Sequence, residues 1–203
     1  MALVRETVLK AEKRQAGTEL KDKIFKAAQR LFVEKGYHST SIPDIVKEAG
    51  VSTGAIYHHY SSKEELAREI HKTAVQQFLA NFNEQVRTQK STYAKIRAYT
   101  SLMFRWTEQD PVMVQYLLYG RPKEILVRNL TVCSEEGLQA TREMVEQGME
   151  AGEIKTMNPC LASAIISGTL MRMIELRLDG LIEHPLEEFI EAAANNIWLA
   201  LKA

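Results

Sequence analysis

Apolar residues recur at three- and four-residue spacing along almost the whole chain, and no stretch alternates with the period of two of a half-buried strand. The pattern predicts an all-α protein of about nine helices. The first is expected from Thr18, a capping residue, and buries Ile24, Ala27, Ala28, Leu31 and Phe32 on one stripe until Gly36 stops it. Two short helices follow in "SIPDIVKEAGVSTGAIYHHYSSKEEL", whose last six residues open a fourth with Leu66, Ile70, Ala74, Phe78, Phe82 and Val86 every four positions. A fifth is capped at Ser91, Asp110-Pro111 interrupts it, and "VMVQYLLYG" makes a short sixth closed by Gly120 before Pro122. A long seventh is expected over residues 123–151, stopped by Gly152. Pro159 starts an eighth, apolar nearly all round as far as Ile174, and "LEEFIEAAANNIWLALKA" forms the ninth. With no repeat and no flexible linker, the boundary is one of function. Residues 1–17 read as an N-terminal arm, 18–65 as one domain and 66–203 as a second.

Composition narrows the class. A chain of 203 residues, 45% hydrophobic and 26% charged, can bury a core as an ordinary soluble globular protein does. Net charge is zero, yet residues 1–63 hold 11 Lys and Arg against 7 Asp and Glu, so the front is basic and the remainder acidic. That asymmetry suggests a nucleic-acid end on an acidic body. The longest charge-free stretch in the second half, residues 156–171, is too short and too polar to span a membrane. "MALVRETVLKAEKRQAG" has no apolar run and is no secretory signal. Cys133 and Cys160 form no metal or redox spacing and read as buried thiols, which places the protein in a reducing cytoplasm with no cofactor or metal.

The chemistry concentrates between residues 40 and 66. Ser41 and Asp44 have the spacing of a capping box, Pro43 sits in the first turn, and Ile42, Ile45, Val46 and Ala49 face inward before Gly50 supplies a left-handed turn. Val51 fills the corner and Ser52 caps "TGAIYHHY", about two turns with Ile56 and Tyr60 as its buried stripe. The opposite face offers Thr53, Gly54, Tyr57 and His58, with His59 beside them. Small residues let the backbone of such a helix press into a groove while Tyr and His reach base edges or phosphates. Ser62 to Glu65 has capping-box spacing again, and Lys63 in that first turn is well placed for phosphate.

This helix-turn-helix closely resembles the DNA-binding domain of the TetR family over "GYHSTSIPDIVKEAGVSTGAIYHHYSSKEEL", and the resemblance covers roughly residues 18–66. The rest matches only in length and nine-helix layout. The resemblance implies a homodimeric, ligand-responsive repressor. Thr40 and Ser41 would hold the DNA backbone, and Thr53, Gly54 and Ala55, behind the cap Ser52, would meet base edges. Tyr57, His58 and His59 would contact bases or phosphate, and Lys63 phosphate. Tyr60 departs from the phenylalanine common there and adds a hydroxyl near the backbone. His59 also reads as a packing residue, and the arm "KAEKRQAGT" either enters the minor groove or is a frayed tail.

One short recognition helix needs a dimer to read two half-sites about 34 Å apart. The interface is expected on the eighth and ninth helices through Leu161, Ile165, Phe189, Ile190, Ala193 and Ile197. Tyr93, Tyr99, Met103, Phe104, Trp106, Met113, Tyr116, Tyr119, Met144 and Met171 could line a pocket for a largely apolar small-molecule effector, or form plain core. Arg172 on the apolar eighth helix needs a partner, either Glu175 by an intrahelical pair or an acidic group of the effector. Effector bound between the fifth and eighth helices would move the fourth and release a palindromic operator. Competing readings are a body that binds a protein partner, and activation in place of repression. An enzyme is disfavoured, because no Glu-x-x-His, His-Glu-x-x-His, Gly-x-Ser-x-Gly or phosphate-binding glycine loop occurs.

Overall fold

The computed structural model describes the backbone of residues 2–120 and 135–203 and the side chains of residues 17–119 and 139–203. Among the described residues the protein is helical, its one β feature an isolated bridge between Ile154 and Lys202. The helices are α1 (Ala2–Glu34), α2 (Ile42–Ala49), α3 (Thr53–His59), α4 (Lys63–Gln85), α5 (Thr92–Gln109), α6 (Pro111–Gln115), α7 (Glu135–Glu150), α8 (Pro159–Leu178) and α9 (Ile190–Leu201). A π-helical stretch, Tyr116–Gly120, continues α6, and a 3-10 turn, Leu186–Phe189, leads into α9. Among the described residues the chain divides into two compact units, the first holding the chain up to Lys72 together with Tyr119 and Gly120, the second holding Thr73–Leu118 and residues 135–203.

The first unit is built on α1, α2, α3 and the start of α4. Its core is the stripe expected from spacing, with Ile24, Ala28 and Phe32 fully buried, joined by Ile45 of α2 and Ile56 of α3. The helix start expected at Thr18 is corrected: α1 already begins at Ala2. The preceding residues are rich in Ala, Leu, Glu, Lys and Arg, which favour helix, so Gly17 lowers propensity without ending it and Thr18 lies inside the helix.

In the second unit the four-residue stripe of α4 is buried from Ala74 to Val86, with Phe78 stacked on Trp106 and Phe82 edge-on to Tyr99 of α5. The central helix α5 packs against α6, α7, α8 and α9. Ser91 caps it, accepting from the Ala94 N–H at 3.2 Å. The seventh helix is described from Glu135 to Glu150, and the part expected before residue 135 lies outside the described residues, as does Cys133. Cys160, expected buried, is exposed in the first turn of α8, where its N–H donates to the Asn158 cap.

A guanidinium fork closes the far end of α8. Arg177 donates to both carboxylate oxygens of Glu108 at 2.9 and 3.1 Å and to the carbonyls of Ile182 and Glu183. The Leu186 N–H also donates to Glu108, at 2.9 Å. With both oxygens hydrogen-bonded, the Arg177 bond above all holds the Glu108 carboxyl below the usual carboxylate range.

By length and composition α8 is the one described helix apolar enough to cross a membrane, with a mean hydropathy of 1.2 over its best window. The charge-free stretch alone fell short because the helix runs on through Arg172, Glu175 and Arg177. Ala162, Ser163, Ile166, Leu170 and Ile174 face the core, while Leu161 is 56% exposed and Ala164 and Gly168 also face outward.

Candidate DNA-binding surface and ligand cavities

The candidate recognition surface is made by caps and two anchors. Ser41 accepts from the Asp44 N–H at 3.3 Å while Asp44 accepts from the Ser41 N–H at 2.8 Å, a reciprocal box that fixes the start of α2. The Ser41 bonds, with Lys35 nearby, hold the Asp44 carboxyl below its ordinary value. Gly50 turns the chain at φ 65°, a left-handed conformation that a side chain disfavours. Ser52 then caps α3 through the Ala55 N–H at 3.2 Å. Ile56, fully buried, and Tyr60, 3% exposed, hold that helix to the unit.

The face opposite those anchors carries the residues expected to meet DNA. Ser52, Thr53, Gly54 and His58 are exposed, Tyr57 is 54% exposed, and Ala55 and His59 are half-buried. His58 and His59 stand edge to face at 5.0 Å. Ser41, the cap of α2, is also exposed.

Two residues expected at phosphates are occupied elsewhere. Thr40 is buried, and its hydroxyl donates to the carbonyls of Leu31 and Gly36 at 3.2 and 2.9 Å. The Lys63 ammonium donates to the carbonyls of Tyr37 and Thr40 at 3.0 and 2.8 Å and lies 4.2 Å from the centroid of the Tyr37 ring. Their spacing from the helix-turn-helix is that of backbone contacts, but the loop of residues 36–41 folds back and takes their donors. The second capping box is likewise shifted: Ser62 accepts from the Glu65 N–H, but the Glu65 carboxylate accepts from Ser61.

Tyr60 bears a buried hydroxyl with no hydrogen-bond partner among the described residues. Burial, with the charges of Glu69, Asp22 and Glu65 adding to it, pushes its phenol from 10.0 up to about 12. Tyr60→Phe removes the unpaired donor and should stabilise the protein by about 1 kcal/mol in urea unfolding at neutral pH. The folded state keeps this proton while the unfolded chain loses it near 10.0, so the contribution is intact below that pH and declines towards about 12. Tyr60→Phe should flatten that alkaline decline; an unchanged slope would assign it to other groups.

In the second unit most of the expected effector set is core. Tyr99, Met103, Phe104, Trp106, Met113, Tyr116 and Met144 are all buried and Met171 is half-buried, while Tyr119, which belongs to the first unit, is 56% exposed. Tyr99 and Trp106 of α5 pack on Phe78 and Phe82 of α4, and α5 lies directly against α8, so these side chains serve as core. A cavity of about 270 Å³ lies instead between the end of α4, the start of α5 and α7. Phe82, Val86, Ala140 and Met144 line it, and the Arg87–Glu143 and Lys95–Gln147 pairs bridge its rim at 2.6 and 2.9 Å. Trp106 lines a second cleft of about 180 Å³ between α4 and α5. Arg172 lies outside both, largely exposed and paired with Glu175 at 3.2 Å, the intrahelical partner offered by the sequence.

The expected interface residues also separate. Ile190, Ala193 and Ile197 are buried within the protomer, on the stripe of α9 that accompanies α5; Ile165 and Phe189 are half-buried and Leu161 is exposed. Periodicity identified a buried stripe but not which partner buries it. Outward positions on these helices are Leu161, Ala164 and Gly168 of α8 and Ala192, Asn196 and Leu199 of α9.

Residues 24–70 match the family described as bacterial regulatory proteins, tetR family. The chain is 26% identical over 180 residues to the HTH-type transcriptional regulator YfiR of Bacillus subtilis, covering 86% of this chain and 81% of that one. It is 26% identical over 150 residues to the fatty acid metabolism regulator protein of the same organism, covering 72% and 77%. The crystal structure of the transcriptional regulator FadR from Bacillus subtilis in complex with stearoyl-CoA superposes with a TM-score of 0.72 at 22% identity, covering 86% of this chain and 96% of that chain.

Proposed function

Because the chain belongs to the TetR family of transcriptional regulators, which bind DNA and are not enzymes, we propose that it is a cytoplasmic, homodimeric repressor that releases a palindromic operator when a small effector binds its second unit. The observation that carries this reading is the face of α3: exposed Thr53, Gly54, Tyr57 and His58 on a helix whose other side is pinned by Ile56 and Tyr60. Such a face can enter the major groove without disturbing the core, with small residues at its leading end and hydrogen-bonding rings behind.

The effector is expected in the cavity bounded by α4, α5 and α7, whose floor is apolar and whose rim is polar. The response has a covalent route, since α4 supplies Lys63 to the first unit and Phe82 to the cavity. Release requires that the effector bind the two states with different affinity. Stearoyl-CoA in the FadR structure and the fatty acid metabolism regulator among the relatives make acyl compounds the first class to test. The outward faces of α8 and α9, apolar at Leu161 and Leu199 and small at Ala164, Gly168 and Ala192, suit a symmetric four-helix contact with a second copy.

Gly54 isolates the DNA contact from the fold. A Cβ placed there meets nothing nearer than the Ser52 hydroxyl at 3.9 Å, so Gly54→Ala should leave the unfolding midpoint unchanged or raised. If the backbone approaches DNA closely, the same change should weaken operator binding roughly tenfold or more, as one lost base-edge contact does. Undiminished affinity in a fluorescence-anisotropy titration would place the start of α3 away from the bases.

A further inference from the structure

We propose that Lys63 serves operator binding as a positioning residue, by holding the Tyr37–Thr40 turn that aims the start of α2, and not by contacting a phosphate. This rests on the DNA-binding reading and adds a division of labour within it. An ammonium has three donors. Two are taken by the carbonyls of Tyr37 and Thr40 at 3.0 and 2.8 Å, and the charge sits 4.2 Å from the Tyr37 ring centroid. The next residue makes a second tie, Glu64 accepting from the Tyr37 hydroxyl at 3.1 Å. From the α1 side Thr40 pins the same turn through the carbonyls of Leu31 and Gly36.

The first two residues of α4 thus grip a turn that is followed at once by Ser41, the cap of α2. Through these two carbonyls the ammonium links the start of α4 to the start of α2. Drawing the ammonium away from the turn towards a phosphate would break two charge-assisted bonds and a ring contact to gain one contact screened by salt. Movement of the start of α4 is delivered to α2 through this grip, and α2 carries the exposed Ser41.

The two roles differ in their salt dependence. Removing a phosphate-bound lysine weakens binding and lowers the slope of log affinity against log salt by about one. Removing a positioning lysine weakens binding at an unchanged slope. Lys63→Met keeps the aliphatic stem and deletes the donors, and operator titrations over a range of potassium chloride should show roughly a tenfold loss with the wild-type slope. Tyr37→Phe, which removes the Glu64 tie and no cation, should weaken binding in the same direction. The double variant should lose less than the product of the two single losses, since both act on one turn. The duplex is one that the wild-type protein selects, so failure to select any sequence counts against DNA binding itself. A slope lowered by about one in Lys63→Met, or full additivity with Tyr37→Phe, overturns the positioning role. If Lys63→Met does not fold, Lys63→Gln, which keeps hydrogen-bond donors and removes the charge, decides: a slope lowered by about one in that variant overturns the positioning role.

Discussion

Ile56→Ala should cost about 2–4 kcal/mol of stability and remove most operator binding even where the protein stays folded. The candidate recognition helix α3 has seven residues, far too few to be helical alone. Its order comes from the Ser52 cap, a closing bond from the Tyr60 N–H to the Ile56 carbonyl at 2.8 Å, and two buried side chains, of which Ile56 is fully enclosed. Truncation leaves a cavity under the middle of the helix, so Thr53, Tyr57 and His58 are no longer presented at fixed spacing. Urea unfolding and an operator titration on one preparation measure both effects. A small stability loss with full operator affinity would show that Tyr60 and the caps suffice.

Gly148→Val is the second change of large expected effect, at about 3 kcal/mol or more. A Cβ at Gly148 would lie 2.7 Å from the Thr92 hydroxyl and 2.9 Å from both the Thr92 methyl and Ile154 Cδ1. Thr92 and Ile154 are themselves buried. Thr92 is further held by its N–H donating to Glu153 at 2.6 Å, and Ile154 by its bridge to Lys202. Neither can withdraw cheaply, so the added bulk separates α7 from the start of α5. The helix propensity gained by losing a glycine, at most about 1 kcal/mol, does not offset this. Gly168 of α8 has nothing within 4 Å, so the constraint belongs to this crossing and not to helical glycines in general. Thermal unfolding measures the loss, and a variant as stable as wild type would mean that α7 can slide away from Thr92 freely.

What was legible in the sequence was whatever depends on near neighbours. The Ser41–Asp44 box, the Gly50 turn, the Ser52 and Ser91 caps and the four-residue stripe of α4 are set by residues a few positions apart, and the structure places them where spacing put them. Partners brought from far along the chain were not legible. Lys63 has the same spacing whether it faces a phosphate or the carbonyls of Tyr37 and Thr40, and only the fold of residues 36–41 decides between them. The stripe of α9 looks the same whether covered by α5 or by a second copy. Tyr99, Met103 and Phe104 have the chemistry of a pocket and the burial of a core, and side-chain type does not separate the two. The Glu108–Arg177 fork joins residues 69 positions apart, and nothing local in either segment announces it.

If the exposed face of α3, presented twice by a dimer, reads a specific operator, selection of binding sites from random duplex DNA with the whole 203-residue chain at two salt concentrations should show it. The expected result is an enriched inverted repeat with half-sites about 34 Å apart, bound with a steep salt dependence. Binding without sequence preference at both salt concentrations, or no enrichment at all, would contradict it.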